Sequence, residues 1–106
     1  GQPLFVNLAR SNLCVYNDTF TTTWNSGQGF CNSLFNGAKL CTQHQLRQAC
    51  NGGGLTVAAS RWMADRAGDD VALVTNSTDC NNFDGTANAL TATAGGSYCC
   101  LEWMDY

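Results

Sequence analysis

The sequence predicts an α+β domain: two helices packed on a small, twisted antiparallel sheet with long polar loops and disulfide staples. Three observations predict it. Helix signals fill the first half of the chain and strand signals the second, the order of an α+β domain. Seven cysteines sit in 106 residues, a density that belongs to small domains of oxidising compartments. Only 12% of the residues are charged, against a usual share of about 25%, so Asn, Thr, Ser and Gln must carry solubility and the loops.

The elements follow in order. Residues 1–12 read as an N-terminal linker or strand, with Leu4-Phe5-Val6-Asn7-Leu8 as its apolar stretch, ahead of a domain over 13–106. The opening Gly1-Gln2-Pro3 reads as a processed end or a cut linker, so the chain is expected to be a mature product or one module of a larger protein. Leu13-Cys14-Val15-Tyr16 is the better strand candidate, ended by Asn17-Asp18. Thr22 or Thr23 can cap a first helix. Trp24, Gly27, Cys31, Leu34 and Phe35 recur on one face of it, and Asn36-Gly37 stops it. Thr42-Gln43-His44-Gln45 fits a capping box that opens a second helix. Leu46, Ala49 and Cys50 share a face there, and Asn51-Gly52-Gly53-Gly54 ends it. Ser60-Arg61-Trp62-Met63, Val71 to Thr75 and Ser97 to Trp103 read as strands. Polar loops at Asp65–Asp70 and Asn76–Gly85 join them, and the last strand is expected at the sheet's centre.

Charge excludes two classes of partner. The formal net charge is −3, and the five basic residues, Arg10, Lys39, Arg47, Arg61 and Arg66, are scattered. Nucleic-acid binders carry a basic stripe instead. No apolar run is long enough to span a bilayer, so membrane insertion is not expected.

The odd cysteine count allows at most three bridges within one chain; the remaining thiol stays free or links chains. Cys41 and Cys50 flank the second helix. Nine helical residues rise about 13 Å, whereas a bridge tolerates a Cα separation of about 7 Å, so these two should not pair. Cys99 and Cys100 are neighbours on a strand and point to opposite faces, one toward the helices and the other toward the loops.

The segment Gly37-Ala38-Lys39-Leu40-Cys41-Thr42, opening the second helix, resembles the "G-[AG]-[RK]-L" signature at that place in C-type-lectin-like domains. Cys31 in the preceding helix, the Trp62 strand, Cys80 in a late loop and Cys99 or Cys100 in the last strand complete the resemblance, which covers roughly residues 13–103. It implies a bridge from Cys31 to Cys99 or Cys100, with Cys80 bridging to the other. It also implies kinship with cysteine-rich domains of phage fibre or tail proteins and bacterial surface proteins. The formylglycine-generating enzymes share the same helix opening. The calcium-binding "E-P-N" and "W-N-D" motifs of sugar-binding C-type lectins are absent, and the chain is far shorter than a formylglycine-generating enzyme.

Several constellations carry candidate chemistry. Asp65, Arg66, Asp69 and Asp70 occupy one loop region; Asn76, Asp79, Asn81, Asn82 and Asp84 occupy another. Together they form the expected ligand-binding surface, since loops on a stapled scaffold carry binding. Calcium favours oxygens of this kind, with Asp69, Asp70 and Asp84 the candidate metal ligands; the alternative is that these Asx residues make turns. Cys41 with His44 and nearby Cys50 offers a partial zinc set, against disulfides and a surface histidine. His44 is the only histidine, and no nucleophile motif accompanies it, so no catalytic residue is assigned. Trp24, Trp62 and Trp103 suit a core more than sugar stacking.

The functional expectation is a non-enzymatic extracellular or virion-surface module for recognition and adhesion, carried on a phage fibre or bacterial surface protein. Its partner would be a cell-surface glycan or protein receptor. One alternative is a structural subunit of an extracellular filament or virion that self-associates into a larger fibre. The other is a fragment of a formylglycine-generating-type enzyme.

Overall fold

The computed structural model describes residues 4–7, 11–34, 36–80, 83 and 85–104. Strand β1 (Leu4–Asn7) pairs antiparallel with β2 (Ser11–Asp18). Helix α1 (Trp24–Leu34), the short strand β3 (Lys39–Leu40) and helix α2 (Gln43–Gly53) follow. Strands β4 (Arg61–Arg66), β5 (Val71–Val74), β6 (Thr86–Ala89) and β7 (Gly96–Met104) complete the sheet.

The sheet order is β1-β2-β7-β4-β5-β6, with β3 also on β7. The last strand is thus central, as its apolar, cysteine-bearing sequence predicts. One pair departs from the expected antiparallel sheet. β4 meets β7 in parallel over Arg61↔Gly96 and Trp62↔Ser97. Two antiparallel steps through β5 leave β6 running along β4, and the 90–95 connection then crosses back past β5 and β4 without reversing, so that β7 starts in the same direction. Beyond that contact β7 pairs with β3 at Cys100 and Cys99.

Alternation along β7 divides the core. Tyr98 and Cys100 join Leu13, Val15, Leu46 and Ala49 on the face that α2 covers. Cys99 joins Cys31, Leu40 and Trp62 on the face that α1 covers. The helices therefore flank opposite faces of the sheet, and adjacent residues of one strand serve both. Trp62 is fully buried, and its indole N–H donates to the Thr22 carbonyl at 2.8 Å. Trp24 is partly buried and donates to the Met63 carbonyl at 3.0 Å. Trp103 departs from the core expectation and stands exposed.

Helix α2 starts and ends as its sequence dictates. Thr42 and Gln45 form the reciprocal capping box, and Gly54 takes the left-handed conformation (φ 73°) that closes α2. In α1, Gly27 lies against β7: a Cβ there would stand 2.3 Å from the Ser97 hydroxyl oxygen. Glycine is needed for the backbone to approach this closely.

Three disulfides staple these parts: Cys31–Cys99, Cys41–Cys100 and Cys50–Cys80. Cys31 takes one of its two expected partners. The expected bridge from Cys80 to the last strand is corrected. Cys41, which directly precedes α2, occupies Cys100, and Cys80 ties the β5–β6 loop to α2 through Cys50. With Cys41 and Cys50 both oxidised, no thiolates remain there for zinc. Cys14 is the free cysteine and is buried; burial raises its thiol pKa.

Candidate functional site

The described parts of the two polar regions expected to form one surface leave β5 at opposite ends. β5 pairs with β6 through Val71↔Ala89 at one end and Val74↔Thr86 at the other. The 67–70 turn leaves from the first end and the 75–85 loop from the second, about 10 Å along the strand.

Asp65 is committed locally. Its carboxylate accepts the Gln43 backbone N–H at 2.6 Å, satisfying a donor of the first turn of α2 that the helix itself cannot. Asp69 and Asp70 are exposed in the turn. The turn is closed by Ala67 N–H to the Val71 carbonyl at 3.1 Å and tied to the chain after β6 by Leu90 N–H to the Asp70 carbonyl at 2.9 Å. Arg66 donates to the Asp69 carbonyl. In the other loop, Asn76 and Asp79 are exposed, and the Asp79 N–H donates to the Ser77 hydroxyl at 3.0 Å. Cys80 and fully buried Phe83 anchor that loop, with the Arg47 guanidinium 5.6 Å from the Phe83 ring centre. Asn81, Asn82 and Asp84 lie outside the described residues. Among the described residues, no group of three or more His, Cys, Asp or Glu side chains could hold a metal ion.

Arg66 has a second role. Its guanidinium lies 5.6 Å from the ring centre of Trp24, close enough for a cation–π contact. The pair forms one wall of a cleft of about 500 Å³, within the usual size of small-ligand sites. The cleft opens where β4 parts from β7. Cys41 fills the gap behind it, donating its N–H to the Tyr98 carbonyl at 2.8 Å and accepting from Ala64 N–H at 2.7 Å. Helix α1 supplies Trp24 and Gln28, one turn apart on the same face. Lys39 comes from β3, Thr42 and Gln45 from the start of α2, and Glu102 from β7. Leu40, Ala64 and Cys100 add apolar surface.

Of the expected binding residues that the structure describes, only Arg66 lines this cleft. Gln28, Lys39, Thr42, Gln45 and Glu102 lie outside the expected set: Lys39, Thr42 and Gln45 belong to segments that read as a helix opening and its cap, and Gln28 and Glu102 belong to no motif. The one available signal was Lys39, the chain's single lysine, set in the Gly37–Thr42 segment. His44 is exposed on α2 and is not part of the cleft lining.

No family model and no curated protein matches the chain. Among solved structures it is similar to the crystal structure of botrocetin, a snake-venom protein, with a TM-score of 0.58 at 11% identity over 99% of this chain and 99% of that chain. At that identity the likeness is one of fold. The chain has the C-type-lectin-like fold, small, α+β and disulfide-stapled.

Proposed function

We propose that this chain is a non-enzymatic recognition module that works outside the cell. Its working surface is the cleft between α1, α2 and β4, together with the adjoining 66–70 turn. The carrying observation is Arg66, which joins the two. It lines the cleft over Trp24 and also bonds the carbonyl of Asp69 in the turn. Three disulfides support an oxidising, extracellular setting. They also hold the cleft walls, since Cys41–Cys100 fixes the start of α2 to β7 and Cys31–Cys99 fixes α1 to the same strand. A cleft lined by lysine, arginine and amides, without the only histidine, suits binding more than proton transfer.

The partner in this reading is a cell-surface glycan or protein receptor, and the module is carried on a phage fibre or bacterial surface protein, as the cysteine-rich resemblance suggests. The filament-subunit alternative loses its covalent argument, because Cys14 is buried and offers no surface thiol for linking chains. The test is binding of the full chain to a glycan panel and to intact cells. Saturable binding is expected, and combining Arg66→Ala with Asp69→Ala should reduce it while the melt stays unchanged. Undiminished binding by that variant would move the working surface elsewhere. Absence of saturable binding to every glycan and cell tested would remove the recognition reading.

A further inference from the structure

The polar groups of the cleft are not evenly divided between donors and acceptors. The Gln28 side-chain oxygen accepts the Leu40 N–H at 3.2 Å. The Gln45 oxygen accepts the Thr42 N–H at 2.9 Å, and its amide nitrogen donates to Glu102 at 3.1 Å. The Thr42 hydroxyl oxygen accepts the Gln45 N–H at 3.1 Å. Backbone N–H groups can only donate, so they fix which end of each amide is oxygen. The Gln28 oxygen faces Leu40, which leaves its NH₂ group for the cleft.

What remains to meet a ligand is a set of donors. These are the Gln28 NH₂, the Thr42 hydroxyl proton, the Lys39 ammonium and the Arg66 N–H groups not spent on Asp69. Among the described residues none of these has another hydrogen-bond partner. Among the described residues two cations and one carboxylate line the cleft, and that carboxylate, on Glu102, already accepts from Gln45. Asp65, nearby at the start of α2, is matched by the Gln43 N–H. Arg66 presents a planar fork suited to two oxygens of one anion, and Trp24 beneath it limits its orientations. Leu40, Ala64 and Cys100 give the apolar contact that the C–H face of a ring would need.

We propose that the cleft takes a small ligand through an oxoanion, a carboxylate or a sulfate carried on a sugar ring. Lys39 and Arg66 are its charge partners, and Gln28 and Thr42 its neutral donors. The proposal rests on the recognition reading and names the ligand class for the same site. The chain's net charge of −3 makes the attraction local to the cleft, so it must depend on these residues rather than on long-range steering.

The test is nuclear magnetic resonance on the ¹⁵N-labelled chain, titrated with glucuronate, glucose 6-sulfate and glucose. The two acids should shift the Gln28 side-chain amide and Arg66 Nε–H signals saturably, and glucose should not. The tighter acid identifies the anion as carboxylate or sulfate. Lys39→Gln or Arg66→Gln should each weaken acid binding about tenfold, the share of one hydrogen bond to a charged group, with thermal melts unchanged. Equal shifts from glucose would overturn the anion assignment and leave the recognition reading in place. Acid binding that survives both substitutions, or no shift from any probe, would overturn the proposal; cell and glycan-panel binding decides the recognition reading separately.

Discussion

Two of the three disulfides end on neighbouring residues, Cys99 and Cys100, and this makes their contributions to stability interdependent. In sequence they span 68 and 59 residues. With either intact, however, the other closes only the short circuit from Cys31 to Cys41 and across one peptide, about 11 residues, worth about 2.8 kcal/mol of chain entropy. Once one is gone, the shortest circuit for the survivor runs through Cys50–Cys80 and is about 30 residues long for Cys41–Cys100 and about 38 for Cys31–Cys99, worth about 3.6 and about 3.9 kcal/mol. Removing both bridges should therefore cost about 1 kcal/mol more than the two single losses added together. Lost sulfur contacts enter the single and combined variants alike and cancel to first order in the cycle. The assay is urea unfolding of Cys31→Ala with Cys99→Ala, of Cys41→Ala with Cys100→Ala, and of all four together, with Cys50–Cys80 verified by peptide mapping. Losses that add within about 0.3 kcal/mol, below the usual threshold for coupling, would refute the shared-circuit account.

Four further outcomes are expected. Asp65→Ala should destabilise by about 1 kcal/mol, the usual worth of a helix N-terminal acceptor, whereas Asp69→Ala should stay within about 0.5 kcal/mol; equal urea midpoints would show that Asp65 does not hold α2. Gly27→Ala should cost about 1–3 kcal/mol by overpacking against Ser97. Ser97→Ala alone should be neutral or stabilising, since that buried hydroxyl has no hydrogen-bond partner among the described residues; a costly Ser97→Ala in thermal melts would contradict this. Tyr98→Phe should cost about 1–3 kcal/mol, because the Ala58 N–H that donates to the Tyr98 hydroxyl at 2.7 Å loses its acceptor. Cys14 should resist alkylation in the native state. Its raised pKa means that the unfolded chain loses this proton first, so stability is intact below the ordinary thiol range and falls as pH rises toward the folded pKa; a native thiol that reacts as fast as in urea would contradict the burial.

The helices were legible because their signals are local. A capping box needs four consecutive residues, and Thr42 and Gln45 supply both halves of it. The central place of β7 followed from the helix pair, the Trp62 strand and the late cysteines, Cys99 and Cys100, which point to opposite faces of one strand. β3 and β6 were not legible. The first has two residues and exists only because Lys39 and Leu40 meet Cys100 and Cys99. The second, Thr86–Ala89, has a mostly exposed and weakly apolar sequence that only its neighbour β5 makes a strand. The pairing of Cys80 was hidden for a related reason. It depends on how far the β5–β6 loop folds back over α2, which buried Phe83 settles and local spacing does not.

The candidate site shows where residue type alone misleads. Asp65, Asp69 and Asp70 are alike in sequence and close together, yet one is consumed as a helix-end acceptor and the other two remain exposed on a turn. The difference lies in strand direction: β4 carries Asp65 past the start of α2, where unpaired N–H groups await an acceptor, and the chain has turned away by Asp69. The cleft arises from the same geometry. β4 begins in parallel contact with β7 and then diverges, so Cys41 and Lys39–Leu40 enter between them and α1 and α2 are held apart at that edge. Its donors are supplied one or two at a time by α1, β3, the start of α2 and β4, so no stretch of sequence could display them together. Their common character appears only once the backbone has claimed the acceptors of Gln28, Thr42 and Gln45. A site of this kind is defined by what folding leaves unsatisfied, and that is why the acidic loops drew attention in the sequence while the donors gather in the fold.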